Sequence, residues 1–561
     1  MMARFCFVSL VTSACLIAGA GAAQERPKLI LQITVDQLRG ELIDRYGAGM
    51  GDDGFARLTR GGVVFANAHH SHANTETIVG HTTLSTGAVP AVHGMVANLW
   101  FDRTAGTQFY NVQDADYPLV GAAGVDANSE IDPTQRAATT DGRSPRNILS
   151  STIADEIALH FGPASKVFGV SVKDRGAIAM AGHAGQAYWF SKAEGRFVTS
   201  TFYRDDYPSW MGDWQDKGMV ASYAGQDWTL LGDIDKYNFG DRDDQPWETD
   251  FPGFGRTFPH SWGLADDKYF TTRLTLSPAG DEITVDFAKA LIAAENLGQD
   301  DVPDYLSVSL SSTDYVGHIF GPSSLEAEDN LHHLDRTLAD LLGYVDQTIG
   351  LNKVLVVLSA DHGAPEHPGY LKTLGIEADT FNFDDIDTTP GFARLKQDFG
   401  AGETLIRNFS NPYVYLDHAV IDDLGLDQLA VEAAVAEELE KLPGIAMAVS
   451  STALRTGAIA PGPLTDQVLA NFHKDRSGDI YVVFQPHWFV ADFDGLTVAS
   501  AHGSPWSYDT FVPLMIMGPG IKRARVQRRV HTIDVAPTIA AFLGAKPPSG
   551  ATGTPLIEVF K

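Results

Sequence analysis

The sequence contains very little cysteine. Cys6 and Cys15 are the only two cysteines of the chain, and both lie within its first 23 residues. Residues 24–561 therefore carry no thiol, which excludes disulfide bonds, cysteine-ligated zinc fingers and a cysteine nucleophile from that part of the chain. Any metal ion there must be bound by histidine and carboxylate side chains.

Basic residues are also scarce. The chain has 41 Lys and Arg residues against 71 Asp and Glu residues, which gives a formal net charge of −30. Because nucleic-acid binding depends on basic patches that neutralise phosphates, we expect no nucleic-acid partner. Such an acidic protein repels anionic substrates slightly unless the binding site itself is locally positive.

Long apolar runs are missing after residue 23. Before it, Arg4 precedes an apolar run over residues 5–18, and small residues follow up to Ala23. This arrangement predicts a signal peptide that is cleaved after Ala23. The run is too short for a membrane-spanning helix. We therefore expect a periplasmic or secreted protein with no membrane anchor after cleavage.

Several short apolar segments have the character of buried parallel strands. They are Lys28–Val35, Lys166–Val172, Asp304–Leu310 and Lys353–Ser359. Between the last two, apolar residues recur at helical spacing over residues 330–349, and His332 and His333 lie off that stripe, so we expect both to be solvated. Strand, helix and strand form a βαβ unit. The pattern predicts an α/β fold, a mostly parallel central sheet flanked by helices.

Two segments interrupt this pattern, so we expect one α/β domain over residues 24–561 with inserted accessory regions. The insertion at about 184–265 is rich in tryptophan, which is typical either of a lid over a site or of an insertion with its own small core. The insertion at 366–480 contains a predicted helix at Leu426–Leu442. Its acidic run Asp384–Asp387 lacks the spacing of a calcium loop, so the sequence gives no support for bound Ca²⁺ or Mg²⁺.

Charged or metal-binding residues follow each predicted strand. In chain order they are Asp36, then Lys173 and Arg175, then Asp314, then Asp361 and His362. Ligands of open α/β sheets bind beyond the carboxyl ends of the strands. A single Asp at a strand end is a common turn residue, but four such strands indicate one site.

The spacing of acidic and histidine residues is suited to metal binding. Asp314 and His318 are four residues apart, on one face of a helical turn. Asp361 and His362 precede a glycine, and His502 lies beside another glycine. With Asp36 the set contains three carboxylates and three imidazoles, which suits zinc at two sites, although manganese and iron accept similar ligands.

The segment 74–84 contains four threonines, Thr75, Thr77, Thr82 and Thr83, ahead of or within a predicted helix. A hydroxyl at that position serves as a helix cap. It also lies among free backbone N–H groups, which favour an oxyanion. Because a threonine hydroxyl is a poor nucleophile at neutral pH, it needs a base or a metal ion to become reactive.

Taken in order, these motifs resemble those of the alkaline phosphatase superfamily and, more narrowly, of the PafA/PhoK-type bacterial phosphate monoesterases. The resemblance covers the whole chain after the signal peptide. The motifs are Thr34-Val35-Asp36-Gln37, Thr77-x-x-Gly80-His81, Thr86-Gly87, His93-Gly94, Lys173-x-Arg175, Asp314-x3-His318, Asp361-His362-Gly363, His502-Gly503 and the closing stretch His531–Thr538.

The resemblance implies a zinc-dependent hydrolysis of phosphate monoesters through a covalent phosphothreonine, with two Zn²⁺ per chain and inorganic phosphate as product. It implies that Thr77 is the nucleophile and that the aromatic-rich insertion shapes the rim of the pocket. The implied ligands are Asp314, His318 and His502 for one zinc, and Asp36, Asp361, His362 and the Thr77 oxygen for the other. The implied contacts to the phosphoryl oxygens are Asn98, Lys173 and Arg175.

Other functions remain as alternatives. A phosphodiesterase or nucleotide pyrophosphatase of the same superfamily would use the same metal ions and threonine. Lys173 and Arg175 argue against it, because a monoester dianion carries a charge that a diester lacks. A sulfatase needs a Cys or Ser motif that is absent, and a phosphoglycerate mutase relative would use serine. A non-catalytic protein that binds phosphate esters is a remote alternative.

Overall fold

The computed structural model describes residues 26–383, 386–493 and 495–561. The predicted signal peptide, residues 1–23, and Asp384 and Asp385 of the acidic run lie outside the described residues. Within the described ranges, no helix combines the length and the apolar character needed to cross a membrane.

In the described part of the chain, nine strands form a central sheet. Seven of them run parallel, and the strands Leu514–Met517 and Arg196–Val198 run in the opposite direction. From edge to edge the strands are Ala524–Val526, Val63–Phe65, Leu514–Met517, Val354–Ser359, Leu29–Val35, Asp304–Leu310, Val167–Ser171, Gln186–Ser191 and Arg196–Val198. The predicted α/β fold with a mostly parallel sheet is confirmed.

The strand Leu29–Val35 lies at the centre of this sheet. It pairs in parallel with Asp304–Leu310 on one side and with Val354–Ser359 on the other, and all seven of its residues are buried. A strand covered by helices on both faces needs an apolar sequence rather than an alternating one. The four strands predicted from apolar segments agree with the observed strands to within one residue at each end.

Helices cover both faces of the sheet. The helices Ala279–Ala294 and Leu325–Thr348 pack on one face with the core that contains Leu29 and Leu31. On the opposite face, the core around Ile30 includes residues of the helices Ile153–Phe161 and Val535–Leu543. Further helices that contact the sheet or its loops are Leu42–Tyr46, Phe55–Gly61, Thr77–Thr86, Asp174–Ala181 and Ser312–Phe320.

The expected exposure of His332 is wrong. The side chain of His332 is 7% exposed, and its Nε2 lies 3.2 Å from the carbonyl oxygen of Tyr46. His333 is half-buried, with Nδ1 3.3 Å from Glu282 Oε1. The segment after Tyr46 crosses this part of the helix, which the apolar stripe of the helix alone does not indicate.

The aromatic-rich segment 184–265 contributes two strands to the central sheet, Gln186–Ser191 and Arg196–Val198. Its aromatic side chains join the same core as the sheet. Trp214 packs edge-on against Phe197 and Phe287, with ring centroids 5.6 and 5.1 Å apart. The Trp228 indole N–H donates to Asp329 at 2.7 Å. The segment thus packs on the central core.

The segment 366–480 contains most of a second, antiparallel sheet with its own core. The strands of this sheet are Ile406–Ser410, Tyr413–Leu416, Ile480–Phe484 and Ile445–Ser450. The helices Pro390–Phe399 and Gln428–Glu440 pack against it. Asp427 caps the second helix by accepting from the N–H of Ala430 at 2.8 Å. The helix predicted at Leu426–Leu442 is therefore present but two residues shorter at each end.

Candidate active site

Four neighbouring parallel strands end at the same edge of the central sheet. Asp36 directly follows the strand Leu29–Val35, and Lys173 lies two residues after Val167–Ser171. Asp314 lies in the first turn of the helix that follows Asp304–Leu310. Asp361 lies two residues after Val354–Ser359. The Lys173 ammonium lies 2.8 Å from Asp36 Oδ2 and also contacts Asp314. The side chains predicted from four separate strand ends are thus brought together.

Asp314 is the centre of one group of possible ligands. Its Oδ1 lies 3.2 Å from His318 Nε2 and 3.4 Å from His502 Nε2. His318 is one helical turn after Asp314, and His502 comes from a distant loop. The ring of His502 stacks on that of His362 with centroids 3.7 Å apart. Ligand atoms of Asp314, His362 and His502 all lie within 4.8 Å of one another.

A second group consists of Asp36, Asp361 and His362, whose ligand atoms also lie within 4.8 Å of one another. His362 Nε2 is 3.4 Å from Asp36 Oδ1 and 3.6 Å from Asp361 Oδ2. All three side chains are fully buried. The two groups are adjacent because His362 belongs to both.

The three histidines share one tautomer. Each Nδ1 faces a backbone carbonyl oxygen: that of Ser500 for His318 at 2.7 Å, that of Thr75 for His502 at 2.8 Å, and that of Gly363 for His362 at 3.0 Å. Since a carbonyl oxygen only accepts, each Nδ1 carries the proton and each Nε2 has a free lone pair. This arrangement is typical of metal-binding histidines.

These contacts fit a bound cation. In the Nδ1-protonated tautomer, His362 Nε2 and Oδ1 of an ionised Asp36 are two acceptors that face each other. Neither atom has a hydrogen-bond partner among the described residues. Buried polar atoms without a partner are costly, and a metal ion between them would satisfy both. A set of carboxylates and imidazoles without thiolate suits zinc, manganese or iron.

The buried charges of the site also indicate a bound cation. Burial, together with the charges of Asp314 and Asp361, raises the pKa of Asp36 well above its ordinary value. Burial also lowers the pKa of His362 well below its ordinary value, so this imidazole is neutral. Three carboxyl groups therefore share one ammonium group, that of Lys173. Two divalent cations would reverse the sign of the charge and make the site attractive to a phosphate dianion.

Thr77 is the first residue of the helix Thr77–Thr86, and its side chain is fully buried. Its Oγ1 lies 3.4 Å from the Lys173 ammonium. Gly80 allows this helix to approach the second ligand group, because a Cβ there would lie 2.0 Å from the Asp361 carbonyl oxygen. The sequence motif Thr77-x-x-Gly80 thus places the hydroxyl beside the carboxylates.

Asn98 lies directly beside the start of that helix. Its Oδ1 accepts from the N–H of Ile78 at 3.1 Å, and its own backbone N–H donates to Glu76. Because the side-chain oxygen is engaged in this way, the amide NH₂ group remains to donate to a ligand. Burial raises the pKa of that Glu76 carboxyl to about 7.

Arg175 does not lie free in the site. Its Nη1 donates to Asp132 Oδ2 at 2.8 Å, and both side chains are almost fully buried. Burial lowers the pKa of Arg175, but the adjacent carboxylate of Asp132 more than offsets this and raises it well above its ordinary value. The sequence interpretation missed Asp132, since nothing in its neighbourhood along the chain relates it to residue 175.

Gln37 and His81, which belong to two of the sequence motifs, contact the carboxylates of the ligand groups. Gln37 donates from its backbone N–H to Asp361 Oδ1 at 3.1 Å and from Nε2 to Asp314 Oδ1 at 2.8 Å. His81 Nδ1 lies 2.8 Å from the Thr77 carbonyl oxygen and 3.0 Å from Asp361 Oδ2, and its Nε2 lies 2.8 Å from Ser309 Oγ. Their positions in the Asp36-Gln37 and Gly80-His81 pairs were the available signal.

A cleft of about 290 Å³ leads to this site. Its polar floor consists of Asn98, Arg175, Asp314, His318 and His502. Its apolar wall consists of Leu99, Ile131, Phe383, Phe409, Val490, Phe493 and Leu496. Five further site residues are buried and do not line the cleft, namely Asp36, Thr77, Lys173, Asp361 and His362. Among the described residues that line the cleft, none belongs to segment 184–265.

Comparison with protein families gives one match that covers most of the chain. The family model described as type I phosphodiesterase / nucleotide pyrophosphatase matches residues 30–505. This range includes every predicted site residue from Asp36 to His502.

Among curated proteins, alkaline phosphatase PafA of Elizabethkingia meningoseptica is 35% identical over 98% of this chain and 97% of its own length. A protein of Myroides odoratus named calcium-transporting ATPase is 34% identical over 96% and 95% of the two chains. The crystal structure of wild-type alkaline phosphatase PafA superposes with a TM-score of 0.86 at 34% identity, over 96% of this chain and 99% of that one. The chain is thus similar to these proteins over nearly its full length.

Proposed function

The chain belongs to the type I phosphodiesterase / nucleotide pyrophosphatase family and is an alkaline phosphatase, and we propose that it hydrolyses phosphate monoesters with two Zn²⁺ through a phosphothreonine at Thr77. The observation that carries this proposal is the buried Thr77 hydroxyl beside Lys173 and two adjoining groups of carboxylates and Nε2 atoms. With metal ions in the two ligand groups, a hydroxyl of low reactivity would have the cationic surroundings that it needs to act as a nucleophile.

In the proposed ligand sets, Asp314, His318 and His502 hold one zinc ion, and Asp36, Asp361, His362 and the Thr77 oxygen hold the other. When bound, such a pair of ions stabilises the charge on the attacking and leaving oxygens of a phosphoryl transfer. The carbonyl oxygens that fix each Nδ1, together with Gln37 and His81, orient the ligands for this purpose.

In the first half of the reaction, Thr77 Oγ forms a bond to phosphorus in line with the leaving oxygen, and the alcohol of the ester departs. In the second half, a water molecule attacks the phosphothreonine from the opposite side, which releases inorganic phosphate and restores the hydroxyl. Two in-line displacements predict retention of configuration at phosphorus. The start of the Thr77–Thr86 helix, which is the positive end of its dipole, favours the negative charge that develops there.

Three side chains are proposed to bind the phosphoryl oxygens. The amide group of Asn98 is free to donate, the Lys173 ammonium already lies near Thr77 Oγ1, and Arg175 lines the cleft with its orientation fixed by Asp132. Because phosphoryl transfer depends mainly on positioning and charge stabilisation, cations aimed at the non-bridging oxygens favour the dianionic monoester over the diester.

Ion transport, named for the Myroides relative, is not proposed for this chain, because the buried Thr77 hydroxyl beside Lys173 and the candidate ligand groups supports phosphoryl transfer. The proposed partners are small phosphate monoesters, and residues 1–23 support a proposed location in the periplasm or outside the cell.

The nucleophile is tested by comparing p-nitrophenyl phosphate hydrolysis by the zinc-loaded wild type, Thr77→Ala and Thr77→Ser. We expect the alanine variant to lose about 10³-fold or more in kcat, whereas serine retains part of the activity because it keeps a hydroxyl. Acid-quenched wild type should carry a phosphoryl group on the peptide that contains Thr77. Near-full activity in Thr77→Ala would contradict the proposal.

Monoester preference is tested separately with bis(p-nitrophenyl) phosphate. The double change Lys173→Ala/Arg175→Ala should lower kcat/KM for the monoester about 100-fold or more, and lower that for the diester far less, because the diester lacks the additional charge. Equal losses on the two substrates would show that these cations do not select the monoester.

A further inference from the structure

The cleft has two chemically different parts. The polar floor carries Asn98, Arg175 and three of the proposed metal ligands, whereas the apolar wall lines another part of the cleft. The wall is built from separate regions: Leu99 from the hairpin Leu99–Asp102 and Thr107–Tyr110, Phe409 from the second sheet, and Phe493 from the short strand Asp492–Phe493. Because it is continuous with the floor, a group attached to a bound phosphoryl would contact it.

The wall is neither closed core nor ordinary surface. Phe409 and Phe493 are half-buried, and the phenylalanines pack on other rings: Phe383 on Phe409 at 5.6 Å, and Phe493 edge-on to the imidazole of His318 at 5.0 Å. Contiguous apolar surface around a concave polar site is typical of a ligand pocket. The contact with His318 connects the wall directly to the floor.

The charges of the cleft restrict what the wall can accept. Among the described residues that line the cleft, Arg175 is the only Lys or Arg. Its guanidinium is already paired with Asp132. Glu76 and Asp492 also line the cleft and add acidic groups to it. A leaving group that carries a further carboxylate or phosphate would therefore meet apolar rings and like charges, with no cation to bind it.

We propose that the apolar wall is a leaving-group subsite that selects monoesters of uncharged aromatic alcohols over those whose alcohol carries additional negative charge. This inference rests on the proposed function, because it assumes that the phosphoryl group lies on the polar floor. Binding of the ring to the wall stabilises the ester by removing apolar surface from water.

Non-hydrolysable phosphonates test the subsite independently of the chemical step. The inhibition constants of methylphosphonate, benzylphosphonate and 4-carboxybenzylphosphonate are measured against p-nitrophenyl phosphate hydrolysis by the zinc-loaded enzyme. We expect benzylphosphonate to bind about tenfold or more tightly than methylphosphonate, and the carboxylate to remove most of that advantage.

Phe409→Ala, with its matched control Phe399→Ala, assigns the effect to the wall. Both phenylalanines are half-buried at the edge of the same second-sheet core, but Phe409 lines the cleft and Phe399 does not. Phe409→Ala should reduce the benzyl advantage to about threefold or less and leave inhibition by inorganic phosphate unchanged. Phe399→Ala should preserve the advantage. Phe493→Ala provides a second wall variant, and a melting curve of each variant shows that it is folded.

The possible failures are distinguishable. Absence of p-nitrophenyl phosphate hydrolysis in the zinc-loaded wild type would overturn the proposed function. Hydrolysis with equal inhibition constants for the three phosphonates, or a benzyl advantage that survives both Phe409→Ala and Phe493→Ala, would overturn only the subsite. Tighter binding of the carboxylated compound would overturn the charge selection.

Discussion

The polar floor and the apolar wall of the same cleft are held in different ways. The floor is formed at the ends of the central parallel strands, and its histidines are each fixed through Nδ1 by a backbone carbonyl. The wall comes largely from the second sheet and the loops after it, and its half-buried rings contact one another without hydrogen bonds that set their orientation. The floor is thus fixed by directional contacts, the wall by packing alone.

The difference separates chemistry from selectivity. Groups that bind metal ions and a phosphoryl must hold their positions closely, and the central sheet provides a rigid base for them. A leaving group needs only a surface of suitable polarity, which a separately packed unit can supply and vary. If this division holds, changes at the floor should have large effects on turnover and metal binding, and changes behind the wall should have small ones.

Metal removal should produce the largest effect, because it leaves His362 Nε2 and Asp36 Oδ1 facing each other without a cation. Dialysis of the enzyme against a chelator is expected to reduce phosphate release about 10³-fold or more and to lower the melting temperature. Added zinc should restore both. At a free metal concentration 1,000 times Kd, the ion contributes about 4 kcal/mol to the free energy of unfolding.

Thr77→Ala serves as the control for metal removal. This variant keeps all six Asp and His ligands, so zinc should still raise its melting temperature although hydrolysis stays absent. A chelated wild type that retains its activity and its melting temperature would show that the floor needs no metal ion.

A smaller loss is expected when a floor ligand loses its support. Gln37 bridges Asp361 and Asp314, so Gln37→Ala removes the side-chain hydrogen bond to Asp314. Loss of such a supporting contact typically lowers metal affinity by about 10–100-fold. Zinc affinity measured by competition with a chromophoric chelator checks this, alongside kcat.

Gln32→Ala is the matched control for Gln37. Gln32 is also buried and lies on the preceding strand, but its Oε1 accepts from the Tyr305 hydroxyl at 2.9 Å, away from the ligands. We expect its zinc affinity to remain that of the wild type. Equal losses of affinity in both variants would mean that general destabilisation, rather than ligand support, is responsible.

The metal-binding carboxylates could be predicted to a large extent from the sequence because they follow strands that are themselves apolar and local. Asp36, Asp314 and Asp361 each come within a few residues of a predicted strand, and parallel pairing then brings them to one edge. Gln37 was visible as a neighbour of Asp36 but not as a bridge. Its role depends on a left-handed backbone, with φ of 66°, which sequence patterns rarely indicate for a glutamine.

The wall could not be predicted in the same way. Ile131, Phe409 and Phe493 are far apart along the chain and share no spacing, so only tertiary packing brings them together. The partnership of Asp132 with Arg175 and the burial of His332 were missed for the same reason: each depends on a segment that local periodicity does not represent. Sequence patterns do not represent contacts between segments that are far apart along the chain.

The smallest effect should follow a cavity made behind the wall. Val435 is fully buried in the second-sheet core, and Val308 is fully buried in the strand that leads to Asp314. Each Val→Ala change should lower the free energy of unfolding by about 2 kcal/mol. Only Val308→Ala should also reduce kcat/KM, by about tenfold, because a small shift of that strand misplaces the ligands.

Val435→Ala is expected to change kcat/KM by less than about threefold and to leave zinc affinity unchanged, because the cavity lies in the second-sheet core that carries Phe409. Its main functional consequence should be weaker binding of benzylphosphonate. Unfolding by denaturant, zinc titration and the three inhibition constants measure these quantities in one set of proteins. If Val435→Ala reduced zinc affinity as much as Val308→Ala, the floor and the wall would not be independent. A cavity in either core would then disturb the metal ligands equally.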